Sequence, residues 1–249
     1  MVPEPESERY YSIHLSRWPV GLLWKYLWRN APLLAWLLFP ILFLQRLPGL
    51  KPSPQFANQY PHELTKIDSD RIPLHARTAI EARVRYAEAI GFRVCGHYQS
   101  RSLGTYEQYD TLLLSPSGVE VIQVRWHRLQ VNRHVEQDCR IHCFSALVNG
   151  GVLSSNAISE KKAPREYRMT DDQSRFYPET ATVEELLSYH REAVGTHPDL
   201  RRFDCETVEQ FLLERSRRVV DTLLDRRVYF EPTDQEIQNL KSGKIEWSA

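Results

Sequence analysis

Along most of this chain apolar and polar positions alternate with a helical or strand period, but between Trp18 and Leu44 the alternation fails. Residues 31 to 44 (APLLAWLLFPILFL) carry no charge over about fourteen positions, a length between that of a core helix and that of a bilayer span. Just before them, Trp18 to Trp28 (WPVGLLWKYLW) interleaves apolar residues and three tryptophans with a single lysine, a placement that suits a headgroup interface. The pattern predicts an N-terminal hydrophobic, membrane-associated helix whose anchoring side chains are Trp18, Trp24, Trp28, Leu33, Leu34, Trp36, Leu37, Leu38, Phe39, Ile41, Leu42, Phe43 and Leu44. Extension through Gln45, Arg46 and Leu50 gives about twenty residues, enough for one pass if Arg46 snorkels. Pro40 should kink or break the helix, so a re-entrant wedge is the alternative.

A cleaved signal peptide fits poorly, because the leader carries Glu4, Glu6 and Glu8 and no small-x-small site follows Leu44. A buried core helix is the plain competing account, against which the tryptophan cluster and the prolines that follow both stand. Arg9, Arg17, Lys25 and Arg29 before the block, against Arg46 and Lys51 after it, favour a cytoplasmic N-terminus. A single pass would then export the body, whereas the cysteines argue the other way; a wedge that enters and leaves one leaflet satisfies both signals, and the expected location is the membrane with the body favoured on the cytoplasmic side.

Pro48, Pro52, Pro54 and Pro61 predict an extended linker over 48–61, which separates a tail and anchor (1–47) from a body (62–249). In the body, Pro73 opens a helix to about Ile90, with Ala76, Ile80, Val84, Ala87 and Ile90 on one face and Gly91 just past its end. Alternating runs predict strands at 92–98, 109–114, 119–126, 138–148 and 152–158, broken by turn signals such as Ser115-Pro116-Ser117-Gly118 and Asn149-Gly150-Gly151. After a polar loop with Lys161, Lys162 and Pro164, Thr182 with Glu185 forms a capping box ahead of a helix over 183–194. Asp204 precedes a long amphipathic helix, a short strand follows at 227–230, and Thr233 with Glu236 opens the last helix. The expected class is α+β, an antiparallel sheet of about five strands with helices on one face.

Lys+Arg and Asp+Glu both number 32, so no net basic field exists to gather nucleic acid. Gly at 10 residues is scarce for the loops that cradle phosphates. The four cysteines, Cys95, Cys139, Cys143 and Cys205, are too few and scattered for a disulfide scaffold, and a reducing compartment fits them slightly better, although an even count leaves two disulfides open.

His127, His134, Asp138, Cys139, His142 and Cys143 form the densest group of possible metal ligands. On a strand, however, Cys139, Ile141 and Cys143 face one side while Asp138, Arg140 and His142 face the other, and the two thiols stand roughly 13 Å apart. That is too far for one zinc ion or one disulfide, so no metal site is expected. Ser154, Ser155 and Asn156 could supply hydroxyl and amide groups to a reaction, and His190 a base, but no nucleophile elbow surrounds the serines and the histidine needs a pocket to act. Arg215, Arg217 and Arg218, with Arg201 and Arg202, could dock an acidic headgroup or partner, yet Glu206, Glu209, Glu214 and Asp221 among them make a solvated salt-bridge face the plainer reading.

G-x-G-x-x-G, P-loop, H-E-x-x-H, C-x-x-C and EF-hand spacings are absent from the sequence. The expectation is a membrane-anchored accessory or scaffolding protein without cofactor or catalytic motif, partnered by the lipid bilayer and by other membrane subunits, and not by nucleic acid. The alternative is an enzyme or small-ligand binder with a pocket between the sheet and the helix near Cys205 to Arg227. A pocket of converging polar groups, including His127, His142 or His190, would mark the second; an apolar filling and a broad apolar patch outside would mark the first.

Overall fold

A computed structural model describes residues 8–30, 32–45, 54–61, 64–131, 134–158, 173–195 and 197–243. Contacts divide the chain into two compact units, one made of Met1–Tyr60, Arg101–Tyr106 and Val220–Ala249, the other of Pro61–Ser100 and Glu107–Val219. In chain order the elements are β1 (Tyr10–Ile13), α1 (Val20–Asn30), α2 (Pro32–Leu44), β2 (Phe56–Gln59), β3 (Thr65–Ile67), α3 (Leu74–Ala89), β4 (Arg93–Gln99), β5 (Ser102–Gly104) and β6 (Tyr106–Leu114). There follow β7 (Val121–Val131), β8 (His134–Ala146), β9 (Val152–Ala157), β10 (Gln173–Tyr177), α4 (Val183–Val194), α5 (Cys205–Asp225), β11 (Tyr229–Phe230) and α6 (Asp234–Lys241).

The larger unit is built on a seven-stranded sheet in the order β10-β9-β8-β7-β6-β4-β3. It is α+β as expected, but larger than five strands and mixed, because β10 pairs parallel to β9 while β3/β4, β4/β6, β7/β8 and β8/β9 pair antiparallel. Its two faces are read off β8. Ile141 and Cys143 join the core formed with Ile80 and Val84 of α3 and Leu186 and Leu187 of α4. Phe144 and Ala146, one residue out of phase, join Phe203 with Val208, Phe211 and Leu212 of α5 on the opposite side. Helices therefore cover both faces rather than the single face expected. A side chain such as Ile80, 1% exposed, contributes roughly 1.5–3 kcal/mol through burial.

Local signals explain where the helices begin and end. Thr182 Oγ1 accepts the Glu185 N–H at 3.2 Å while the Glu185 carboxylate accepts the Thr182 N–H at 2.9 Å, so α4 starts with two of its orphan donors satisfied. Thr233 and Glu236 do the same for α6. After α3, Gly91 takes φ +95°, a conformation that any side chain would strain. Gly118 at φ +73° closes the β6–β7 turn so tightly that a Cβ there would lie 2.6 Å from the Phe203 carbonyl oxygen.

Cys95 of β4 and Cys205, the first residue of α5, form a disulfide across 110 residues of sequence, with Cα atoms 5.0 Å apart. Of the two disulfides that the even count left open, one is formed, and Cys139 and Cys143 are free thiols.

The smaller unit holds a four-stranded antiparallel sheet, β11-β1-β2-β5, with Tyr10, Ala57 and Leu240 at its centre. Ion pairs Arg9–Glu231 and Arg17–Glu236 link its N-terminal and C-terminal segments. Within the stretch expected as a linker, Phe56–Gln59 is a strand whose Ala57 is fully buried; residues 48–53, like the loop with Lys161, Lys162 and Pro164, lie outside the described residues. The same unit contains the helical hairpin α1–α2.

The apolar block does not form a membrane span. No described helix is long and apolar enough to cross a membrane: the uncharged run is the thirteen-residue α2, about 20 Å long against a hydrocarbon core of about 30 Å. The break comes at the start of α2 rather than at Pro40, which the helix passes through, because Pro32 cannot donate to α1 but suits a first helical turn. The expected transmembrane anchor is corrected on this finding, and the membrane location and cytoplasmic-side assignment that rested on it go with it.

Candidate functional site

Two regions gather what the chain offers for function: the outer face of the hairpin and a histidine-serine cluster in the larger unit.

In the hairpin, Trp24 of α1 sits against Trp36 and Phe39 of α2 with ring centroids 5.0 and 5.1 Å apart, both edge-on, and against Trp28 at 5.7 Å. Edge-on aromatic pairs of this kind fix the two helices against each other. Leu23, Leu27 and Ala35 are buried, and so is Trp18, only 3% exposed, which places this expected anchor in the interior. Leu38, Phe39 and Leu42 are half-buried. The remaining anchor residues point outward: Leu33 is 93% exposed, Trp36 69% and Leu37 63%, joined by Trp28, Leu34, Ile41, Phe43 and Leu44. Of the fifteen large apolar side chains exposed among the described residues, nine fall between Val20 and Leu44, so the exposure is concentrated here rather than scattered.

On the α5 side of the large sheet, the half that α5 leaves uncovered by its apolar residues is polar. The Asp110 carboxylate accepts from Gln108 Nε2 at 2.6 Å, Gln123 Nε2 at 3.0 Å and Arg125 Nε at 2.8 Å. His142 Nδ1 lies 2.7 Å from Asn156 Oδ1 and donates to it, while Asn156 Nδ2 donates to Ser154 Oγ and the Arg175 carbonyl. Asp138 accepts from Arg140 at 2.7 Å. Burial first, then Arg125, pushes the His142 imidazole down to about 4, so it is neutral near pH 7. Burial also lowers His127, with Arg140 adding to the effect. Each carboxylate in this network is matched by a guanidinium, and the bonds tie four strands together.

On the other face, His190 of α4 lies fully buried between two serines, its Nε2 3.0 Å from Ser145 Oγ and its Nδ1 3.2 Å from Ser155 Oγ. In either neutral tautomer one ring nitrogen donates to a serine oxygen and the other accepts from a serine hydroxyl. Burial holds this imidazole down to about 4, against a raising influence from Glu120. Beside it, Ser155, His190, Gln173, Arg175 and His197 line a small cleft with room for water of about 20 Å³, close to a single molecule.

The sequence-predicted residues thus part company. Ser155 and His190, weighed separately as nucleophile and base, are brought together, but with 1% and 0% exposure and a weakly basic ring they are buried structural partners of Ser145. Cys139 and Cys143 face the core side covered by α3 and α4, away from His142, as strand alternation requires. The Cys139 Sγ donates to the Ala79 carbonyl at 3.7 Å, and burial pushes its thiol up to about 11. Among the described residues no group of three or more His, Cys, Asp or Glu is arranged to hold a metal ion. The space between the sheet and α5 near Cys205, expected to hold a pocket under the alternative reading, is filled by Phe203, Val208, Phe211 and Leu212 against Phe144. Two of the arginines there lie over aromatic rings, Arg215 5.8 Å from Phe144 and Arg201 5.2 Å from Phe203, and Arg217 Nε donates to the Pro61 carbonyl at 2.7 Å. Ser145 was overlooked in the sequence, although a serine at an inward position of β8 signals a buried partner.

No family model, curated protein or solved structure matches the chain.

Proposed function

We propose that this protein is a non-catalytic accessory or scaffolding protein that holds a partner protein on the outer face of the α1–α2 hairpin. The observation that carries the reading is the concentration of exposed large apolar side chains on α2, with Leu33, Trp36 and Leu37 more than half open to solvent. A helix without charge on any side is stable only when most of its circumference is covered, and α1 covers one side of it. Tryptophan, leucine and phenylalanine with charge excluded from the centre is the composition of the buried middle of a protein interface, where aromatic anchors dominate affinity. The apolar filling beneath α5 adds support, since Phe203, Val208, Phe211 and Leu212 occupy that space against Phe144.

The test uses the full chain with a photoreactive amino acid at position 37, irradiated in native extract, beside a Leu33→Asp/Leu37→Asp variant. The expected result is a single dominant protein adduct at position 37, whose purified form binds the wild-type chain and binds the double variant at least a hundredfold more weakly. Both substituted positions are exposed, so circular dichroism should show an unchanged fold. A chain that forms no protein adduct and stays monomeric, or whose adducts are lipid alone, overturns the proposal.

A further inference from the structure

The cleft between β9, β10 and the end of α4 has the chemistry of a carboxylate clamp, and we propose that it binds a short monocarboxylate. Its floor is finished without a ligand: Ser155 and His190 satisfy each other, and Ser154 Oγ bonds Ser174 Oγ at 2.9 Å. Its rim is different. The Gln173 amide, the Arg175 guanidinium and the His197 ring make no side-chain hydrogen bond or ion pair among the described residues, and all three face the same cleft.

Charge selects the ligand. Among the described lining residues Arg175 is the one permanent charge and there is no Asp or Glu, so these residues offer donors around a single positive charge. A guanidinium presents two parallel N–H groups spaced for the two oxygens of a carboxylate, and Gln173 adds a neutral donor. A phosphate dianion would call for a second fixed cation, and the described lining residues include none. Leu153 and Ala193 supply apolar wall on the same lining, which suits a short alkyl group attached to the carboxylate. The enclosed part of the cleft has room for about one water, about 20 Å³, so it takes the carboxylate head and leaves the attached chain at the open mouth. The C-terminal end of α4 carries partial negative charge, which opposes an anion and weakens its binding. A free short-chain acid and the C-terminus of a peptide both present this carboxylate, and the two share the same recognition.

The experiment titrates the full chain at constant ionic strength with acetate, butyrate and inorganic phosphate, and with a short peptide bearing either a free or an amidated C-terminus, following backbone amide resonances. Saturable shifts with butyrate, clustered at 153–155, 173–175 and 190–197, are expected, with phosphate at least tenfold weaker. Arg175→Gln should weaken butyrate at least tenfold while Arg218→Gln, on a distant helix face, leaves it unchanged; both residues are exposed, so both variants should fold. A free-terminus peptide that outbinds butyrate and its own amide assigns the site to chain ends, whereas butyrate outbinding the peptide assigns it to free acids. Shifts that do not saturate, that phosphate reproduces equally, or that survive Arg175→Gln overturn the proposal.

Discussion

Acidification should destabilise this protein well before its carboxylates titrate, and the magnitude follows from two buried imidazoles. His142 and His190 are held at about 4 in the folded state, chiefly by burial, against an ordinary value of 6.5. His142 is further faced by Arg125, Arg140 and Asp110, and His190 by Glu120, Arg191 and Arg175, which modulate but do not reverse the direction. Because the folded values are depressed, the unfolded chain takes up protons first as pH falls below about 6.5. The stabilisation is complete above that value and is lost progressively down to about pH 4. Between pH 7.5 and 5.0 each ring accounts for about 2 kcal/mol, so the pair accounts for about 4 kcal/mol of a typical total of roughly 5–15 kcal/mol. His97 and His127, also lowered mainly by burial, act in the same direction, whereas Asp138, depressed although burial opposes it, loses its contribution only in stronger acid. Urea unfolding followed by near-ultraviolet circular dichroism at the two pH values measures the difference. His190→Gln should remove about half of it, and should cost about 1–3 kcal/mol at pH 7.5 by leaving a serine hydroxyl short of a partner. A midpoint unchanged between pH 7.5 and 5.0 would refute the reasoning, because it would mean that these rings are not buried and neutral.

Cys95→Ser/Cys205→Ser should lower stability by about 2–4 kcal/mol by releasing a long loop in the unfolded chain, and the wild-type protein, unfolded without reductant, should expose two titratable thiols rather than four. Gly118→Ala should cost more than about 1 kcal/mol, read as a lowered thermal midpoint, since φ +73° and the Phe203 carbonyl both exclude a Cβ.

Much of the large sheet was legible because its signals are local. Strand alternation in β8 placed Cys139 and Cys143 opposite His142, and the Thr182–Glu185 and Thr233–Glu236 pairs marked the starts of α4 and α6. The strands that escaped notice, β1, β2, β3, β5 and β10, are three to five residues long, too short to display a period. Their existence depends on partners far away in sequence, as in the pairing of Ser12 with Phe230. Non-local pairing also hid the Cys95–Cys205 bond and the meeting of Ser145, Ser155 and His190, each residue of which has an unremarkable neighbourhood along the chain. The apolar block misled for a different reason. Composition alone did not report the length of its helix, which depended on which proline began a new helix.

Hydroxyl-radical footprinting of the hairpin, in the native complex and in the isolated full chain, tests the central claim most directly. If the outer face of α2 docks a partner protein, Leu33, Trp36, Leu37 and Phe43 should label readily in the isolated chain and be protected at least several-fold in the complex, with buried Trp18 unlabelled in both. Equal labelling of those side chains in the two samples would contradict it.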